Sequence, residues 1–105
     1  MKEYILAEKK FTLAKITPKR MAAYCKVYGI ESFVALQDVK NSVTLGLKEI
    51  DITMDTEKLG ELMGACLNEP LDGIDLDDID VDILIGISND FFMQRYGNLI
   101  ARRDS

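Results

Sequence analysis

The sequence contains no histidine, and this absence narrows the chemistry open to the protein. Histidine is the usual base that activates a serine or cysteine nucleophile, and it is the commonest metal ligand among side chains. Carboxylates and lysines could still catalyse a reaction, but nothing in the sequence marks a cleft for them. We therefore expect a protein that is not an enzyme and that needs no metal or cofactor.

Cysteine is scarce as well, because Cys25 and Cys66 are the only two. Each lies at an apolar position of a predicted helix, so both are expected to be buried thiols in a reducing compartment. The chain also lacks a Gly-rich phosphate loop, a CxxC pair and a nucleophile elbow. Its basic and aromatic residues do not interleave, which argues against binding to nucleic acid.

Long apolar runs are missing too, and a membrane-spanning helix needs about 20 apolar residues. The first residues have no apolar core long enough for a signal peptide. We therefore expect a cytoplasmic protein. At 105 residues, with 48% hydrophobic and 30% charged residues, the chain is predicted to fold as one domain, residues 1–105.

Charge is unevenly distributed along the chain. Residues 1–26 carry a net charge of +5, residues 27–94 carry −12, and residues 95–105 carry +2. A basic head and an acidic middle suit head-to-tail association of identical subunits. Ordinary solvated charge is the alternative.

The predicted fold is α+β, mainly α: an N-terminal β-hairpin within residues 1–16, then a small helical bundle over residues 17–101. The hairpin has two β-prone runs around a polar tip, Glu8-Lys9-Lys10, and no Gly or Asn signals a tight two-residue turn. The first helix is predicted after Thr17 as N-cap, with Pro18 at its first position and Gly29 at its end.

The middle of the chain is less clearly patterned. Ser32–Lys40 favours a second helix, with a strand as the alternative, and Ser42–Leu47 is ambiguous. Alternation of Ile50, Ile52 and Met54 indicates a short extended lead-in. Asp55 then caps a helix over Thr56–Asn68. One face of this helix consists of Leu59, Leu62, Met63 and Cys66.

Two glycines, Gly60 and Gly64, lie one turn apart inside that helix, where each costs about 1 kcal/mol relative to alanine. Either something packs closely against their side, or the helix tolerates them.

The last helix is predicted from about Asp80 to Ala101 and is apolar around most of its circumference. Its narrow polar stripe consists of Gly86, Asp90, Gln94 and Asn98. Such a helix must be buried on more than one side. Core and subunit contact both remain open, and the candidate partner or oligomer surface is Phe91, Phe92, Met93 and Tyr96.

Six aspartates fall within Leu71–Ile87, just before this helix. Neither possible frame supplies the glycine and glutamate that an EF-hand loop requires, so calcium is not expected. Asp80 and Asp82 lie where a helix N-terminus favours negative charge. The remaining aspartates form a candidate acidic docking surface for a basic partner: Asp72, Asp75, Asp77 and Asp78.

The segments FTLAKITPKRM (residues 11–21) and DIDVDILIGISNDFF (residues 78–92) give the chain a familiar layout. In pattern, the chain resembles the tail assembly chaperones of long-tailed bacteriophages. That resemblance implies a mostly helical, self-associating protein that keeps the tape measure protein soluble in the bacterial host cytoplasm during tail morphogenesis. It implies no catalytic residues. The alternatives are a head–tail connector, a small acidic adaptor or inhibitor, and an enzyme.

Overall fold

A computed structural model describes the backbone of residues 2–30 and 49–103, and the side chains of residues 2–30 and 49–94. The described elements confirm the predicted α+β, mainly α class. The predicted helix Ser32–Lys40 and the ambiguous stretch Ser42–Leu47 lie outside the described residues. In chain order the elements are β1 (Glu3–Leu6), β2 (Lys9–Thr12), α1 (Pro18–Tyr28), α2 (Thr56–Cys66), a 3-10 turn (Leu76–Asp78) and α3 (Val81–Arg103).

β1 and β2 form the predicted antiparallel hairpin, but its turn differs from the prediction. Leu6 pairs with Lys9, so only Ala7 and Glu8 connect the strands. Their φ angles are 50° and 68°, and two such positive values are the mark of a type I′ turn. The predicted tip at Glu8-Lys9-Lys10 was wrong because this turn forms without the Gly or Asn that normally announces it.

The outer edge of β2 is covered by the chain that leaves α2. The Ala14 N–H donates to the Cys66 carbonyl at 2.8 Å, and the Asn68 N–H donates to the Thr12 carbonyl at 3.0 Å. The Glu69 carboxylate accepts from the Thr12 N–H at 2.7 Å and from its hydroxyl at 2.6 Å. These bonds lower the pKa of Glu69 and join the hairpin to α2.

Helix α1 begins and ends as predicted. The Thr17 hydroxyl accepts from the Arg20 N–H at 3.2 Å, Pro18 opens the helix, and Gly29 closes it with φ 69°. Gly29 is suited to that left-handed position because it has no Cβ.

The Arg20 side chain connects α1 to the end of α2. Its Nη1 donates to the carbonyls of Gly64, Ala65 and Leu67 at 3.0, 3.1 and 3.0 Å. The last carbonyls of a helix have no partner within the helix, and a cation is favourable there. Arg20 therefore caps α2 from outside.

Asp55 caps α2, as predicted, by accepting from the N–H groups of Glu57 and Lys58. The predicted apolar face is confirmed, since its four members are all buried: Leu59, Leu62, Met63 and Cys66. The helix ends at Cys66 and not at Asn68, because Leu67 leaves it to bridge to Leu13.

The extended lead-in predicted before α2 was wrong, because residues 49–53 are helical. The Met54 N–H donates to the Ile50 carbonyl at 3.1 Å, and of the three alternating residues only Ile52 is buried. Three apolar residues are too few to distinguish a period of two from a helical turn.

An added Cβ at Gly60 or Gly64 meets no described atom within 4 Å, so the described fold does not require either glycine.

The core forms where α1, α2 and α3 meet under the hairpin. Cys25 and Cys66 are both buried, as predicted. The ring of Tyr24 stacks on that of Phe91, with centroids 5.2 Å apart. The polar residue Ser88 is 1% exposed, and its hydroxyl lies 2.8 Å from the Tyr24 hydroxyl and 2.9 Å from that of Tyr28. Burial raises the pKa of Tyr28 to about 12, so its hydroxyl stays protonated and able to donate at neutral pH.

Two residues of the polar stripe of α3 bond to the hairpin region. Asp90 accepts from the Tyr4 hydroxyl at 2.7 Å and from the Lys2 ammonium at 2.9 Å. One turn later, the Gln94 amide donates to the carbonyl of Ala14, two residues beyond β2, at 2.9 Å. Asp90 and Gln94 therefore fix how α3 lies against β1 and the chain that leaves β2.

The turn at Ala7 and Glu8 generates a first prediction. Replacing the pair with Asn-Gly gives the residues that a type I′ turn prefers, and we expect the free energy of unfolding to rise by about 1 kcal/mol. Urea denaturation measures the change. Glu8→Ala removes the same charge but keeps a Cβ, so it should leave stability nearly unchanged. Equal effects of both variants would contradict the assigned turn.

The buried hydroxyl of Ser88 generates a second prediction. Ser88→Ala should lower the free energy of unfolding by about 1–2 kcal/mol, because the tyrosine hydroxyls lose a buried partner. In a Tyr28→Phe background the same change should cost at least about 0.5 kcal/mol less. A double-mutant cycle by urea denaturation checks this. An identical cost in both backgrounds would show that the two hydroxyls do not interact.

Candidate interaction surfaces

The candidate surface on the last helix is largely core. Phe91 is fully buried and Phe92 is 2% exposed, so neither belongs to the surface of the described fold. For these two residues the structure shows the core, which the sequence had left open beside a subunit contact because a helix that is apolar all round does not reveal which face meets its neighbours. Met93 is 47% exposed. Tyr96 lies on the described backbone of α3, but its side chain is outside the described residues.

The acidic surface is exposed as expected. Asp72, Asp75, Asp77 and Asp78 all lie at the surface, and the last two belong to the 3-10 turn beside α2. Apolar residues anchor this segment, because Leu76 is buried and Leu71, Ile74 and Ile79 pack against the core. The acids and apolar residues therefore alternate because the apolar side chains hold this segment against the core while the acids face solvent.

Several of the six aspartates have structural roles. Asp75 caps the 3-10 turn by accepting from the Asp77 N–H at 3.0 Å, and Asp80 accepts from the Asp82 N–H at 2.8 Å at the start of α3. Asp77 accepts from the Thr56 hydroxyl at 2.7 Å, which joins the turn to the start of α2. Capping explains these positions without any ligand.

Asp72 and Asp78 are different, because no described residue bonds to either carboxylate. Near Asp72, the Lys9 ammonium donates to the Asp72 carbonyl at 3.1 Å. The tip of the basic hairpin therefore already meets the acidic segment of the same chain. Sequence reasoning missed this contact, since 63 residues separate the two.

Exposed apolar side chains accompany the acids at this end of the fold. Ile50 and Met54, before α2, are 58% and 82% exposed, and Val81 and Ile83, at the start of α3, are 43% and 45% exposed. The bond from Thr56 to Asp77 joins the start of α2 to the 3-10 turn that precedes α3. This acidic–apolar end, residues 50–55 and 72–83, was only half predicted, because the alternation of residues 50–54 indicated a strand.

The described residues contain no group of three or more acidic or cysteine side chains that could hold a metal ion. Within the same residues, none of the helices is long and apolar enough to cross a membrane. The cavity between the start of α1 and the end of α2 is shallow and already holds the Arg20 side chain. A second cavity lies between the end of α1 and the start of α2, where Lys26, Asp51 and Lys58 are among the residues that line it.

Comparison of the chain with family models, with curated proteins and with solved structures found no match in any of the three.

The two roles of the aspartates generate a third prediction. Asp80→Ala removes the cap of α3 and should lower the free energy of unfolding by about 1 kcal/mol. Asp78→Ala removes a carboxylate with no described partner and should change it by less than about 0.5 kcal/mol. Thermal and urea denaturation compare the two variants. Equal losses would mean that position 80 stabilises the fold only through its charge.

Proposed function

We propose that the protein is a non-enzymatic tail assembly chaperone of a bacteriophage or prophage. In this function it binds the tape measure protein in the host cytoplasm and keeps it soluble while the tail assembles. The sequence segments 11–21 and 78–92 support the proposal through their resemblance to that family. The observation that supports it most is the acidic–apolar end, which combines exposed apolar side chains with two carboxylates, Asp72 and Asp78, that no described residue bonds.

A long helical client suits such a surface. An amphipathic helix presents apolar side chains at helical spacing, and these need an apolar surface in the partner. Ile50 and Met54 are four residues apart in a helical segment and share one face. The unbranched side chain of Met54 can adapt to different side chains along the client.

Self-association is part of the proposal. The exposed lysines of α1, Lys19 and Lys26, and the acidic 3-10 turn both belong to elements that pack against α2. A basic and an acidic surface on one subunit allow head-to-tail contacts between copies, and such contacts weaken as salt is added.

A small acidic adaptor or inhibitor is the second candidate. The bond from the Lys9 ammonium to the Asp72 carbonyl favours it, because it places a cation of the basic head beside the acidic segment of the same chain. An adaptor would bind a basic partner as a monomer or dimer.

A binding experiment tests the proposed function. The chain is co-expressed with the tape measure protein of a long-tailed phage, and the soluble fraction of the client is measured. We expect the chain to raise that fraction several-fold. The Asp72→Asn/Asp78→Asn variant should lose most of the gain, because it weakens the acidic–apolar end without removing a cap.

The matched control is Glu57→Gln/Glu61→Gln, which makes the same change in net charge on the exposed side of α2. This variant should keep the gain. An unchanged soluble fraction with the wild-type chain would count against the chaperone function. Equal losses in both variants would show that net charge matters and that the acidic–apolar end does not.

A further inference from the structure

The hairpin has one covered edge and one open edge. The Leu13 N–H donates to the Lys2 carbonyl at 2.9 Å, which makes Lys2 and Leu13 a hydrogen-bonded pair. Bonded and non-bonded pairs alternate along an antiparallel ladder. The backbone groups of Glu3 and Ile5 therefore point away from β2, along the outer edge of β1.

No described residue covers that edge. The equivalent groups of Thr12 on β2 bond to Asn68 and Glu69, whereas those of Glu3 and Ile5 have no partner among residues 2–30 and 49–94. Ile5 is 64% exposed, which makes it the most exposed large apolar residue of the hairpin. An open edge with an exposed apolar side chain is a template for another strand.

We propose that the open edge of β1 pairs with β1 of a second copy of this chain. The two strands run antiparallel about a two-fold axis at Tyr4. Glu3 of each copy then lies opposite Ile5 of the other, and all the outward N–H and C=O groups of both residues find partners. Two hairpins become a continuous four-stranded sheet.

The side chains on this face are complementary in that register. Ile5 pairs with Lys10 inside the hairpin, and the Lys10 ammonium lies 3.1 Å from Glu3 of its own chain. In the proposed pair, Glu3 of the second copy lies on the far side of Ile5. The aliphatic part of Lys10 can cover Ile5 while its ammonium reaches that carboxylate. The register places no like charges directly opposite each other.

This contact does not rest on the proposed function. It is symmetric, whereas a head-to-tail contact joins two different surfaces and does not involve β1. A chain that fails as a chaperone could still pair through β1, and the two outcomes are measured separately.

The test measures the dissociation constant of the dimer by sedimentation equilibrium over a wide range of concentrations. Ile5→Glu puts a carboxylate opposite Glu3 of the other copy at two symmetric places. We expect it to raise the constant about tenfold. Glu3→Lys/Ile5→Glu restores opposite charges and should return the constant towards the wild-type value. Met93→Glu adds the same charge at an exposed apolar position of α3, away from β1 and from the acidic–apolar end, and should leave it unchanged.

A cross-linking experiment tests the register without relying on charge. Residues 3 and 5 of opposite copies are a hydrogen-bonded pair about 5.5 Å apart at Cα, within the range of a disulfide. A mixture of Glu3→Cys and Ile5→Cys chains should therefore form a disulfide-linked pair under mild oxidation, and neither variant should do so alone. The native cysteines are buried and should not interfere.

Three results would overturn the inference. The first is a wild-type chain that is monomeric at every concentration. The second is a Glu3→Lys/Ile5→Glu variant that dimerises no better than Ile5→Glu. The third is cross-linking in each single variant to the same extent as in the mixture.

Discussion

The C-terminal end of α2 is the point on which the described fold depends. Three elements meet there: Arg20 of α1 donates to its last carbonyls, β2 pairs with the chain just beyond it, and its buried face supports the core. A helix end and a sheet edge both leave backbone groups that must find partners. Here Arg20 and Ala14 supply donors to carbonyls at the helix end, and Asn68 supplies a donor to the edge of β2. The hairpin is consequently an integral part of the helical fold, although it contains only two short strands.

The sequence predicted those features whose cause lies within a few residues. Thr17, Gly29 and Asp55 act on their own neighbours, so their identity was enough to place both ends of α1 and the start of α2. Features held by distant residues could not be predicted in the same way. Asp90 bonds to Tyr4, 86 residues away, and Gln94 bonds to Ala14, 80 residues away. The sequence shows such residues only as a polar stripe, without showing what the stripe contacts.

The same difference between local and distant causes explains which candidate surfaces could be predicted. The acidic segment was recognised as surface, because carboxylates among apolar anchors have few other places to lie. Whether Phe91 and Phe92 lie in the core or in an interface was left open, because an apolar side chain serves equally in either place. The Ala7–Glu8 turn was missed for a related reason. The positive φ angles of this turn are set by the pairing of the strands, so they could not be predicted from the identities of Ala7 and Glu8.

The placement of the open edge bears on how this protein could associate. The described part of the hairpin is held on one side by α2 and, through Asp90, from below by α3. This support fixes β1 in an extended form before any partner arrives, so little conformational entropy is lost when another strand adds to it. The acidic–apolar end is formed instead by the residues before α2 and by the 3-10 turn and start of α3. The proposed contacts at the two places use different residues, so one need not exclude the other.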